Sequence, residues 1–293
     1  MSRKQLIELY MIMGGIPYYL DMIDKSVPLA KNIDNLFFKN GALLKSEYDF
    51  LFRSLFKESK AYKKVIEALS VKLRGLTREE IIKEAKIPNG GTVPEVLDNL
   101  CTCDFIRKYS SIGKNGKKEK DCMYQLTDLF SLFYLRFVQK NASQDENFWS
   151  NMAFSGEKNA WSGYAFEQVC LHHIRQIKNK LGITGVLSNV YSWSSKSFID
   201  KDGTAWKGGR IDLLIDRRDG VIDVCEMKFV SEEYVVTGAY EAAIRDRLAL
   251  FKHVTKTKKV IHCVFITTYG VKHNAHSNIV DSEIMMDDLF VPK

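Results

Sequence analysis

Nowhere in these 293 residues does an apolar run approach the ~20 residues that a helix needs to cross a bilayer, so no membrane partner is expected. The opening Met1-Ser-Arg-Lys-Gln5 leads into no long uncharged stretch with a small-residue cleavage site, so no secretory signal is expected. A Gly-x4-Gly-Lys-Ser/Thr loop, whose amides and lysine cradle nucleotide phosphates, is missing too. Gly113-Lys-Asn-Gly-Lys-Lys118 has the composition of such a loop but neither its spacing nor its hydroxyl, so no ATP site is expected in this chain. Zinc-like spacing is also absent. The six cysteines (101, 103, 122, 170, 225 and 263) sit mostly inside apolar runs, Cys101-x-Cys103 is too tight for a knuckle, and no His-x3-His follows. The six histidines show no ligand spacing either. Reduced, buried thiols in a cytoplasmic protein are the expectation. Internal repeats and low-complexity tails are lacking.

What is present suits packed cores. Of the chain, 45% is hydrophobic and 12% aromatic, and the length suggests two or three domains. Residues 1–57 read as helical, broken at Gly14-Gly15-Ile-Pro17. Residues 58–140 contain three helical segments (62–73, 77–86 and 92–103), then two alternating stretches around a turn rich in Gly and Asn. Thr77-Arg-Glu-Glu80 spaces Thr and Glu as a capping box does. Three helices and a hairpin make a winged helix-turn-helix layout. The net charge of +7 is modest, so its distribution carries the information. Between Phe105 and Lys120 stand Arg107, Lys108, Lys114, Lys117, Lys118 and Lys120 against one acid, Glu119. Such a basic hairpin tip is a candidate for DNA phosphate contact, or simply a solvated loop. The third helix carries Glu95 and Asp98 and no Arg or Lys; Asn99 is its one candidate for a base contact. The aromatic segment 129–138 reads as core and the polar run 139–147 as a linker into residues 141–293.

In that last part, Ile211-Asp-Leu-Leu-Ile-Asp216 and Val221-Ile-Asp-Val-Cys-Glu-Met-Lys-Phe229 flank Arg217-Arg-Asp-Gly220, a hairpin signature. Alternation puts Glu226 and Lys228 on one face and Cys225, Met227 and Phe229 on the other. A hairpin closing symmetrically about Asp219 sets Asp212 opposite Glu226. Taken singly, such charges are the ordinary solvated face of a sheet. Opposed like charges destabilise neighbouring strands, however, and a hard divalent cation between them supplies a reason for the pair. A third acid, Glu167, stands beside the apolar line 166, 170, 174, 177 and 181 of a helix expected to run over 161–181.

A helix with Gly163-x-x-Phe166-Glu167, a strand with Asp212 and a strand with Glu226-Met-Lys228 together resemble the PD-(D/E)xK nuclease superfamily. A helix over 235–251 and a strand over 259–267 fit its α-β-β-β-α-β core. More widely, the chain resembles the C-terminal part of a prokaryotic, archaeal-type AAA ATPase family, with Leu9-Tyr-Met-Ile-Met-Gly-Gly-Ile-Pro-Tyr-Tyr-Leu20 matching that family's lid. The phosphate loop is the main departure from that family, so this chain alone is not expected to hydrolyse ATP. The expected fold is α+β and multi-domain: a helical lid-like segment (1–57), a winged helix (58–140) and a restriction-endonuclease-like α/β domain with a mixed sheet (141–293).

The resemblance implies metal-dependent hydrolysis of DNA phosphodiesters. Asp212, Glu226 and the Met227 carbonyl would hold one Mg²⁺ or Mn²⁺, Glu167 a second ion or a water, and Lys228 would place the attacking water. Two other readings stay open: a DNA-binding module without chemistry, and a protein-interaction part of an ATPase with other subunits as partners.

Overall fold

The computed structural model describes residues 1–290 apart from Arg74, 113–117 and 142–143, and the side chains of residues 110–121 also lie outside the described set. The protein is α+β with a mixed sheet and divides into two units. The first comprises Met1–Lys108 with Met123–Ala165, the second Tyr109–Cys122 with Phe166–Lys293. No helix among the described residues is long and apolar enough to cross a membrane.

In the first unit, helix α1 (Arg3–Met13) starts at a capping box in which Ser2 and Gln5 each accept the other's backbone N–H. Gly14 ends it at φ +65°, a conformation that costs glycine little. Helices α2 (Pro17–Asp21) and α3 (Leu29–Ile33) follow, the latter running into a wider turn, Asp34–Phe38. Then come α4 (Glu47–Leu55), α5 (Ser59–Val71), strand β1 (Leu76–Thr77), α6 (Arg78–Ala85) and α7 (Thr92–Thr102). The expected capping box is present: Thr77 Oγ1 accepts from the Glu80 N–H at 3.2 Å, and Glu80 Oε2 accepts from the Thr77 N–H at 2.9 Å. Strands β2 (Ile106–Ile112) and β3 (Lys118–Leu126) straddle the division, and β1 pairs antiparallel with β3 at Leu76 and Tyr124. Helix α8 (Leu129–Phe133) continues through a wide turn, Tyr134–Val138; α9 (Phe148–Asn151) and α10 (Gly156–His172) follow.

The aromatic segment 129–138 is core, as its pattern suggests. Phe133 meets Phe37 at 5.0 Å, Trp149 at 5.1 Å and Trp161 at 5.5 Å, all edge-to-face, the arrangement the ring quadrupole favours. Trp149 and Trp161 therefore belong to the first unit, whose limit falls inside α10. Asp34 ties this end down. It is fully buried, its Oδ1 accepts the Trp149 N–H at 2.9 Å, and its Oδ2 accepts the Ser150 hydroxyl. Helix α9 has no side-chain cap of its own, so an acid more than a hundred residues away satisfies its first amides.

The second unit continues with α11 (Ile174–Lys180), β4 (Ser188–Ser195), a small ribbon of β5 (Phe198–Ile199) and β6 (Ala205–Trp206), then β7 (Gly209–Arg217), β8 (Val221–Lys228), α12 (Gly238–Thr255), β9 (Val260–Thr267) and β10 (Ser282–Met285). Its sheet runs β4-β7-β8-β9-β10. The first two pairings are antiparallel, and β8-β9 and β9-β10 are parallel. A parallel pair needs a crossover, and α12 supplies it between β8 and β9. Strand β8 is buried at every position from Ile222 to Met227, as a strand with both faces covered should be. On one face, Ile222 and Val224 join Trp193 and Leu214 with Leu250, Phe251 and Val254 of α12.

Two boundaries differ from the sequence expectation. The expected helix over 161–181 breaks at His173, whose N–H bonds to Cys170 three residues back instead of four, and whose Nδ1 lies 2.7 Å from the Val169 carbonyl. The expected helix from residue 235 begins at Gly238, because Thr237 stays extended and caps the Tyr240 N–H with its hydroxyl at 3.2 Å.

Removing the internal cap should show how much the first unit depends on it. Asp34→Ala strands two amides and a hydroxyl in a dry site and is expected to cost about 2–3 kcal/mol in urea unfolding, with Asp34→Asn costing less. Equal stability of all three proteins would rule out this role.

Candidate functional site

The hairpin of β7 and β8 sets the geometry. Leu213 pairs with Cys225, Leu214 with Val224 and Asp216 with Ile222, around a turn that Gly220 closes at φ +91°. One further step in this register brings Asp212 opposite Glu226. Both share the α12-facing side of the sheet with Leu214 and Val224. Lys228 follows on that side, where β8 pairs with Thr267 of β9.

Glu226 is 7% exposed, so its charge needs partners. It has two, both from α12. The Tyr240 hydroxyl donates to Oε2 at 2.6 Å, and the Arg247 guanidinium binds Oε1. Burial, and then the Glu226 charge, push the Tyr240 phenol well above its ordinary value. The Lys228 ammonium lies 4.8 Å over the Tyr240 ring and 5.9 Å over that of Tyr234, within the cation–π range.

Asp212 is held differently. Arg210 Nε approaches Oδ1 to 2.5 Å, yet that buried oxygen has no aligned hydrogen-bond donor, so the contact is an ion pair of poor directionality. The backbone carbonyl of Asp212 accepts the Ser192 hydroxyl at 2.8 Å. Glu167, on α10, belongs to the same electrostatic group. Its carboxyl is pushed up to about 8, first by burial and then by the Asp212 charge, with Glu226 adding to this and Arg210 and Lys228 opposing it.

The four residues singled out from the sequence, Glu167, Asp212, Glu226 and Lys228, are thus brought together within the second unit. The sequence reading missed Arg210, Tyr240 and Arg247. Each left a signal. Arg210 stands two residues before Asp212 on the same strand face. Residues 240, 244, 247, 251 and 254 form one line of α12, with Ile244, Phe251 and Val254 buried along it, so Arg247 is a cation set into an apolar stripe.

Among the described residues, no group of three or more His, Cys, Asp or Glu side chains is already placed to hold a metal ion. Met227, whose carbonyl the resemblance adds to the ligand set, pairs with Ile266 in the ladder. The chemistry of the donors nevertheless fits a hard cation: three carboxylates, one of them, Glu167, pushed up by burial and then by the Asp212 charge, and a buried Asp212 oxygen without an aligned donor. The cation would have to take Glu226 from Arg247.

Of the six basic residues, the side chains of Arg107 and Lys108 are described, and both have partners. Arg107 Nε donates to Gln125 Oε1 at 2.7 Å, and Lys108 Nζ stands 5.7 Å over the Tyr124 ring. Lys114 and Lys117 lie outside the described residues, and Lys118 and Lys120 are placed on β3 with their side chains outside the described set. Asn99, the candidate base contact of α7, donates to the Tyr62 hydroxyl at 2.8 Å.

No protein-family model matches the chain. The chain is similar to the uncharacterized protein MJECL04 of Methanocaldococcus jannaschii, 29% identical over 181 residues, which is 61% of this chain and 40% of that protein. The chain therefore covers about two fifths of that relative's length.

The raised Glu167 carboxyl makes stability fall as pH rises. Folded, the group keeps its proton up to about 8; unfolded, it ionises around its ordinary value of 4.5. Between those values only the folded state binds this proton, so a contribution present below the lower value is lost through the upper one. Denaturant unfolding should show Glu167→Gln gaining stability over the wild type by a few kcal/mol at pH 8 and by almost nothing near pH 4.5. Parallel pH curves for the two proteins would contradict this.

Proposed function

We propose that the second unit is a nuclease-like domain of the PD-(D/E)xK kind that hydrolyses DNA phosphodiesters with a divalent metal ion. The observation that carries the proposal is the convergence of Glu167, Asp212, Glu226 and Lys228 from one helix and one hairpin. The element order supports it: helix, three strands of the main sheet, helix and strand. The order of α5, α6 and α7 followed by β2 and β3 supports a winged helix, with the β2–β3 hairpin as its DNA-contacting part. We read α1 and α2 as the lid-like segment of an ATPase-family protein whose phosphate loop this chain lacks.

A Mg²⁺ or Mn²⁺ ion held by Asp212, Glu226 and the Met227 carbonyl would lower the pKa of a bound water and neutralise charge on the scissile phosphate. The chain's own groups do the rest. Lys228, its ammonium over two aromatic rings, is a compact cation able to place the attacking water and stabilise the negative transition state. Glu167 titrates close to neutrality, where a carboxyl can take or give a proton, and can orient that water. Water attacks phosphorus and gives up one proton, the P–O bond to the leaving nucleotide breaks, and the leaving oxygen takes one proton from solvent, so the two transfers balance.

A second reading has its own observation. Both oxygens of Glu226 are engaged by Tyr240 and Arg247, as suits a scaffold that binds DNA or protein without chemistry. Cleavage of labelled DNA in Mn²⁺ separates the two readings. Wild-type protein is expected to cut, and Asp212→Asn to be at least ~100-fold slower with its unfolding curve unchanged. Folded wild-type protein that leaves DNA intact in both Mn²⁺ and Mg²⁺ would favour the scaffold.

A further inference from the structure

We infer that Arg247, supported by Tyr240, is a positioning residue that controls cation entry to this site by occupying Glu226 in the ion's place; the inference rests on the metal-dependent reading above. Glu226 has little exposure, and both of its oxygens are taken from the same helix, Oε1 by the guanidinium and Oε2 by the phenol at 2.6 Å. Each carboxylate oxygen has two lone pairs, but a divalent cation brought onto the oxygen that already holds a guanidinium meets a second positive charge at close range in a poorly hydrated site. The ion and Arg247 therefore compete for Oε1, and each weakens the other there.

The arrangement is built rather than incidental. Tyr240 and Arg247 are seven residues apart, two turns of α12, on the line that also carries Ile244 and Phe251 into the core. The Thr237 cap sets where the helix starts and so places Tyr240 over β8. The neighbouring Arg245 contrasts with this: it pairs with Glu241 one turn away, its side chain is 61% exposed, and it has no part in the Glu226 contacts. Asp212 also has an arginine, Arg210, but with a buried oxygen left without a donor. Of the two strand carboxylates, Glu226 is thus the one that must be released.

Removing the occupant should strengthen metal binding, the opposite of what a purely structural role predicts. Calorimetric titration of the full chain with MnCl₂ is expected to give a Kd on the order of tenfold lower for Arg247→Gln than for the wild type. Tyr240→Phe, which frees Oε2, should lower it by roughly threefold. Arg245→Gln should match the wild type. Arg247→Gln leaves a buried carboxylate less well paired and can cost stability; circular dichroism identifies a folded variant, and Tyr240→Phe decides the question if Arg247→Gln does not fold. Unchanged or weaker Mn²⁺ binding in the folded variants overturns the inference. If the wild type binds Mn²⁺ and Asp212→Asn does not, that failure leaves the metal site itself standing. If no protein binds Mn²⁺, the metal reading and this inference fail together.

Discussion

Two like charges facing each other across a buried hairpin impose the main constraint on the second unit. Asp212 and Glu226 stand one register step beyond the Leu213–Cys225 pair, with Glu226 buried and Asp212 partly so. In such a place the field of each acts on its neighbours with little screening. Three things compensate: a guanidinium on each of the two acids, the Tyr240 phenol on Glu226, and a proton retained on Glu167. The arrangement of α12 over the sheet follows from this, since an apolar helix there would leave Glu226 uncompensated.

The same logic recurs through the sheet. Asp223, on the opposite face of β8, is fully buried and takes His262 of β9 at 2.9 Å through its Nδ1, with Arg217 at 3.6 Å. Asp216, at the turn end of the hairpin, meets Lys259. Asp216, Asp223 and Glu226 each find a cation outside their own strand, just before β9, on β7 and β9, and on α12 respectively. The pairings therefore depend on the folded order of strands. They hold the hairpin against β9 as well as satisfying charge, which is why the acid-bearing strand can be buried along nearly its whole length.

In the first unit the organising element is apolar. Phe133 sits among Phe37, Trp149 and Trp161, so segments distant in sequence share one aromatic core. Asp34 adds one directional constraint, fixing the start of α9 by accepting its amides. The polar run after residue 138 is thus anchored at its far end, where Asn40 donates its N–H to Glu146 and Lys31 to Asn147.

Local chemistry made much of this readable from residues alone. The capping box at Thr77 and Glu80, the turn at Asp219-Gly220, the alternation of β8 and the burial of 129–138 depend on neighbours within a few positions, and the structure has them. So was the grouping of Asp212, Glu226 and Lys228, because a two-strand register follows from the turn that closes it. Tertiary structure alone decided how those charges are satisfied. Arg247 and Tyr240 reach Glu226 only because a parallel crossover lays α12 over β8, and Asn99 and Arg107 turn inward because Tyr62 and Gln125 are there to receive them. Periodicity tells which face of an element is apolar. Which distant group a charge on that face will meet depends on packing between elements, and no local spacing encodes it.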